Sequence, residues 1–160
     1  MTTVALVQSE ELDALAEIHA ATFAAPWTAE ALQELLAIPG TAALAAMEGG
    51  RPTGFILVRS LMDEAEILTL AVHPASQRRG VGAALIAAGA TIAEETGAAM
   101  LWLEVAADNA AALALYRSAE FEETGRRKGY YRRADAEPQD ALIFRRVLNR
   151  PAASAYAASP

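Results

Sequence analysis

Glu104, Asn109 and Tyr116 have types and spacings that suit proton transfer beside a bound ligand. Glu104 stands in Leu101-Trp102-Leu103-Glu104-Val105, where strand alternation sets it with Trp102 on one face, opposite Leu101, Leu103 and Val105. An acid inside so apolar a strand is paired, placed at the strand's open end, or used as a base. Tyr116 follows Asn109 by seven positions on one helical stretch, two turns or roughly 10 Å along the axis, so the spacing predicts that both point the same way. Asn109 would then anchor an amide-rich ligand while the Tyr116 phenol gives a proton to a departing anion. Read bare, Tyr116 also fits ordinary core filling.

The stretch from 65 to 88, AEILTLAVHPASQRRGVGAALIAA, supplies a site of a second kind. Leu68, Leu70 and Val72 alternate with Thr69 and Ala71 as a strand until Pro74, which has no N–H to give a ladder. Arg78, Arg79, Gly80, Val81, Gly82 and Ala83 then open a helix. Such a helix start offers unpaired N–H groups and the positive end of a dipole, the glycines admit close backbone approach, and the arginines suit phosphate oxygens. The alternative is a solvated turn with two surface arginines. The P-loop pattern fails for want of a following lysine, and the dinucleotide pattern fails because Leu85 stands where its third glycine belongs.

The elements that must position these groups follow from periodicity. Residues 3 to 7 predict a first strand. Ser9 is the candidate cap of a helix whose Leu12, Leu15 and Ile18 share a face, with His19 near its end as a packing histidine. Thr28 caps a second helix, closed by Pro39-Gly40. Trp27 fits either core packing or the lining of a substrate groove. Residues 41–47 and 55–62 predict a hairpin across Glu48-Gly49-Gly50-Arg51, the organising strand extends it to a meander, and a helix from Gly80 to about Thr96 stops at Gly97. The strand over 99–106 then lies parallel to the organising strand through a right-handed crossover, and a hairpin after Phe121 closes the fold.

With 160 residues, the length fits one domain, and the formal charge of −7 argues against a nucleic-acid binder. The absence of cysteine excludes disulfides and thiol nucleophiles, and two distant histidines leave no metal site in prospect. Neither a signal-peptide pattern at the N-terminus nor an apolar run of membrane-spanning length is present, which predicts a cytoplasmic protein with no membrane partner. The last residues, 149–160, predict a flexible tail after a domain over 1–148.

The loop matches the Q/R-x-x-G-x-G/A signature and resembles the GNAT superfamily of N-acetyltransferases. With ILTLAVHPASQRRGVGAALI, LWLEVAADNAAALALYRSAEF, GRRKGYY and DALIF, the chain is similar from Pro26-Trp27 to about Val147 to bacterial RimI-type ribosomal-protein-alanine N-acetyltransferases. The resemblance implies an α/β fold: one mixed, mainly antiparallel twisted sheet, with splayed central parallel strands and helices on both faces. It implies acetyl-CoA as co-substrate, Glu104 as general base and Tyr116 as general acid. Leu70, Ala71 and Val72 would offer backbone groups to the pantetheine, Arg78 to Ala83 would hold the pyrophosphate, and Asn109 would contact the same ligand. Tyr130 and Tyr131, within a basic cluster from Arg126 to Arg133 that otherwise reads as solvated surface, would border the acceptor groove with Trp27. The implied acceptor is a protein N-terminal α-amine, that of alanine on small-subunit ribosomal protein eighteen. A lysine or small-molecule amine, or acetyl-CoA binding without turnover in a regulatory subunit, are the alternatives. Two positions depart from the pattern. Glu120 stands where relatives carry a turn glycine, at a cost if φ there is positive, and His73 occupies a position often acidic, read here as a turn residue.

Overall fold

The structure is a computed structural model that describes residues 2–133 and 136–148; the predicted tail over 149–160 lies outside the described residues. Among the described residues, seven strands and four α-helices follow in the order β1 (Thr3–Leu6), α1 (Leu12–Thr22), α2 (Ala29–Leu36), β2 (Thr41–Glu48), β3 (Arg51–Leu61), β4 (Glu64–Val72), α3 (Val81–Glu95), β5 (Met100–Ala106), α4 (Ala110–Ser118), β6 (Glu122–Arg133) and β7 (Ala136–Val147). They form one sheet in the order β1-β2-β3-β4-β5-β7-β6. Every pairing is antiparallel except that of β4 with β5, which α3 connects. The predicted architecture is therefore the observed one. Among the described residues, no helix is long and apolar enough to cross a membrane.

Alternation along the strands divides the core between the two sheet faces. Ile56, Val58, Leu85, Ile86, Leu101, Leu103 and Phe144 pack beneath α3 and α4, whereas Phe55 joins Leu15, Ile18 and Leu32 under α1 and α2. A bulge interrupts β4. Leu57 pairs with Thr69 and Val58 with Ile67, so Leu68 is the extra residue. Ahead of it Ala65 and Ile67 face α3; beyond it Ala71 joins the α1 side, while Leu70 and Val72 pack against the α3 side. Bulges re-aim a strand in this way.

Local caps explain most helix ends. The Thr28 hydroxyl accepts from the Ala31 N–H at 3.1 Å, as its sequence position predicts. Ser9 does not cap: it begins a 3₁₀ turn, Ser9–Glu11, in which the Glu11 carboxylate accepts from the Gln8 N–H at 2.7 Å, and α1 starts only at Leu12. His73 is the turn residue expected, its Nδ1 accepting from the Ala75 N–H at 3.1 Å. Glu120 adopts φ 71°, the left-handed conformation that disfavours a side chain. That turn carries Phe121 N–H to the Tyr116 carbonyl at 3.0 Å and brings the two rings edge to face at 5.7 Å.

His19 is a core residue, 3% exposed. It stacks between Phe23 and Trp27, at 4.3 and 4.9 Å between centroids. Its Nδ1 accepts from the Trp27 N–H at 3.0 Å, which leaves the proton on Nε2 to face Thr69 Oγ1 at 3.2 Å. Burial lowers its pKa. The unfolded chain therefore binds more protons between the folded value and the free value of about 6.5, and stability, intact above about 6.5, falls as pH drops through that window. Urea unfolding at pH 7.5 and pH 5 should show wild type losing more stability than His19→Asn. Equal losses would absolve His19.

Candidate active site

The parallel strands stay together only briefly. β4 and β5 pair from Glu64↔Met100 to Glu66↔Trp102, and no pair joins them beyond that point. The far halves of β4 and β5 thus line a splay, with Leu70, Ala71 and Val72 on one wall. The side chains of all three pack into the two cores, so what this wall offers a ligand is main chain. Val72 closes it: its carbonyl accepts from the Gln77 side-chain amide at 3.0 Å, tying the following loop back to the strand.

That loop has two left-handed residues, Arg78 at φ 62° and Gly80 at φ 81°. Gly80 is the N-cap of α3, a conformation glycine adopts without strain. The first α3 hydrogen bond runs from the Ala84 N–H to the Gly80 carbonyl at 3.1 Å, so the amides of Val81, Gly82 and Ala83 have no acceptor within the helix. A Cβ on Gly80 would meet nothing within 4 Å, which leaves room for close approach. Gly82 is different. A Cβ there would lie 2.9 Å from Leu115 Cδ2 on α4, so this glycine also serves helix packing. The exposed Arg79 guanidinium is paired with Glu48 of β2 at 2.9 Å. Val81 turns its side chain into the core; only its amide faces the loop. Arg78 and Ala83 are exposed.

Glu104 lies on β5 beyond the last β4–β5 pair, opposite Ile143 of β7. As the alternation predicts, Leu101, Leu103 and Val105 are buried beneath the helices, and the Glu104 side chain on the other face is 25% exposed. Arg127 Nη2 stands 3.1 Å from Glu104 Oε1. The hairpin β6–β7 delivers that arginine together with Tyr130 and Tyr131, whose rings meet edge to face at 5.3 Å. Tyr131 senses the acid directly: burial raises its pKa, the Glu104 and Tyr130 charges raise it further, and Arg127 opposes them. On α4, burial and then Tyr131 push the Tyr116 phenol far above its ordinary range. Tyr131 thus feels the charge of Glu104 and in turn acts on Tyr116.

Two expected members are held by local contacts. Asn109 does not share a helical face with Tyr116: it precedes α4 at φ −84°, ψ 77°, exposed, and its Oδ1 accepts from the Ala112 N–H at 3.2 Å. Trp27 is half-buried in the His19 stack on the α1–α2 side, the packing reading of that residue. A cleft of about 230 Å³ lined by Arg59, Leu61, Glu64, Ala65, Glu66 and Trp102 lies at the paired end of β4 and β5, away from the splay. Among the described residues, no group of three or more acids or histidines is placed to hold a metal ion.

The sequence profile of the acetyltransferase (GNAT) family matches residues 12–121. The chain belongs to the GNAT family. It is 34% identical over 149 residues to the [ribosomal protein bS18]-alanine N-acetyltransferase of Escherichia coli strain K12, covering 90% of this chain and 96% of that protein. It is 35% identical over 155 residues to the N-alpha-acetyltransferase RimI of Mycobacterium tuberculosis, covering 93% and 94%. The crystal structure of the ribosomal-protein-S18-alanine N-acetyltransferase from Escherichia coli superimposes with a TM-score of 0.85 at 32% identity, over 93% of this chain and 95% of that one. In this GNAT domain, sequence reasoning missed the Glu104–Arg127 pair. Its signal was present: a basic, glycine-broken strand, GRRKGYY, facing an acid on the sheet.

Proposed function

We propose that this GNAT chain transfers the acetyl group of acetyl-CoA to the α-amine of a protein N-terminus beginning with alanine, and that its cytoplasmic acceptor is a ribosomal protein of the bS18 kind. The observation that carries the reading is a half-buried carboxylate, Glu104, set where two parallel strands part and faced by Arg127 and Tyr131 of the β6–β7 hairpin. Relatives named for that activity, alike over nine-tenths of the chain, support the acceptor.

The residues present fit acetyl-CoA. Open space at Gly80, the Val81, Gly82 and Ala83 amides and the exposed Arg78 suit a pyrophosphate, and the main chain of Leu70 to Val72 suits an amide-bearing arm. Acetyl-CoA supplies a thioester carbonyl carbon as electrophile and a thiolate as leaving group. Glu104 accepts the ammonium proton of the acceptor, directly or through water, because a protonated amine has no lone pair to attack with. Tyr116 Oη holds a proton on the opposite side of the splay and releases it to the departing sulfur. An α-amine, with a reference pKa of about 7.7 to 8.0, asks little of the base, whereas a lysine at about 10.4 asks more. Asn109 keeps a place in this reading as a contact for acetyl-CoA, and Trp27 as part of the acceptor wall.

Steady-state acetyl transfer to a peptide beginning Ala-Arg, beside its N-terminally blocked twin, tests the proposal. Transfer to the free peptide alone is expected. Equal transfer to both would assign a lysine or small amine, and binding of acetyl-CoA without any transfer would assign a regulatory subunit.

A further inference from the structure

The base is covered. Among the described residues, the ion-pair partner of Glu104 is Arg127, whose side chain is 53% exposed yet fixed on both sides. Its guanidinium lies 5.2 Å from the centre of the Tyr130 ring, a cation over an aromatic face. The strand that carries it bulges on both sides of it. Thr124 is the extra residue between Glu123↔Phe144 and Gly125↔Ile143, which sets Arg127 opposite Ala141; between Arg127↔Ala141 and Tyr131↔Gln139, β6 takes four steps while β7 takes two, a second bulge of two residues. Gly129 occupies this second bulge at φ 60°, a conformation that favours glycine. Asp140 clamps it, accepting the Gly129 N–H on Oδ1 and an Arg126 N–H on Oδ2, each at 2.9 Å. Because Gln139, Ala141 and Ile143 share one face of β7, Arg127 and Tyr131 are turned to the face that holds Glu104, the partner of Ile143.

We infer that Arg127 is a positioning residue that keeps the Glu104 carboxylate idle until the ammonium of an acceptor takes the guanidinium's place. The inference rests on the reading of Glu104 as base. A guanidinium is never deprotonated in a protein, so while it occupies the carboxylate no proton can be taken from it. An ammonium that displaces it preserves the charge balance and brings a proton that the carboxylate can remove. The exchange favours a cationic amine over a neutral group of the same shape, because only a cation replaces what the carboxylate loses.

Arg127→Met removes the charge and keeps much of the bulk; Arg127→Lys keeps the charge. In Arg127→Met the KM for the Ala-Arg peptide should fall about threefold to fivefold, the upper range for a part-exposed ion pair, with the KM for acetyl-CoA unmoved. Arg127→Lys should restore the wild-type value. In a Glu104→Gln background, peptide binding measured by calorimetry should no longer respond to Arg127→Met. An unchanged or raised peptide KM, or parallel rises in both KM values with a lower Tm, would overturn the inference. Carbodiimide labelling of Glu104, read by mass spectrometry with no acceptor present, separates this from the acceptor question. Labelling several-fold faster in Arg127→Met supports the covered carboxylate even if no peptide is acetylated, an outcome that would sink the acceptor reading alone. Equal labelling overturns the inference whatever the acceptor.

Discussion

Glu104→Gln is expected to lower kcat/KM for an α-amine peptide by about 10²- to 10⁴-fold, the range for removing a general base, while acetyl-CoA binding and Tm stay near wild type. The glutamine is nearly isosteric and retains an oxygen to face Arg127, but it cannot hold a proton. Folding should not suffer, since the buried face of β5 is made by Leu101, Leu103 and Val105 and the replaced side chain stands on the other. The pH dependence distinguishes a base from a binding group. Below about pH 8 an α-amine is mostly protonated and needs the carboxylate, whereas above it the neutral amine accumulates unaided. The deficit of Glu104→Gln should therefore shrink steadily between pH 7 and pH 9.5. A deficit under tenfold at pH 7 would mark Glu104 as no more than the partner of Arg127, and a deficit constant with pH would mark it as an acceptor-binding group.

The parts of this fold that were legible in the sequence are those whose cause is local. Period-two alternation in Leu101 to Val105 was enough to separate Glu104 from the core, Thr28 capped where its position said it would, and Gly97, at φ 92°, ended α3 as a left-handed residue. The splay was legible only through resemblance. It depends on where β4 and β5 cease to pair, and the Leu68 bulge that re-aims β4 is set by a register with β3 that no window of β4 alone reveals. The same limit applies to contacts between residues distant in sequence. Arg79 is paired with Glu48, 31 positions away; Gly82 packs against Leu115 on another helix; and Arg127 shares a sheet face with Glu104 because β6 carries one residue, Thr124, that β7 does not match. The helical face expected to be shared by Asn109 and Tyr116 failed for a different reason. A spacing of seven implies a shared face only inside a helix, and an N-cap stands outside it, with its side chain turned back to the first-turn amides.

Tyr116→Phe separates catalysis from packing at the other side of the splay. The Tyr116 ring belongs to the core beneath α4, edge to face with Phe121 at 5.7 Å, and phenylalanine keeps that ring and its contact. If core filling were its whole role, the substitution would leave the rate alone. As the proton donor, its loss should lower kcat about 10²-fold, the lower end for removing a general acid, with little change in Tm and in the KM for acetyl-CoA. Burial and the nearby Tyr131 raise the phenol's pKa, so its proton is retained throughout the alkaline half of any practical assay. The wild-type rate should then show no decline from pH 8 to pH 10 attributable to an ionising tyrosine. A basic limb near pH 9 that disappears in Tyr116→Phe would contradict that, and a rate within twofold of wild type would return Tyr116 to the core alone. On the reading of Tyr116 as donor, its proton passes to the leaving sulfur as negative charge develops there, after the amine has attacked.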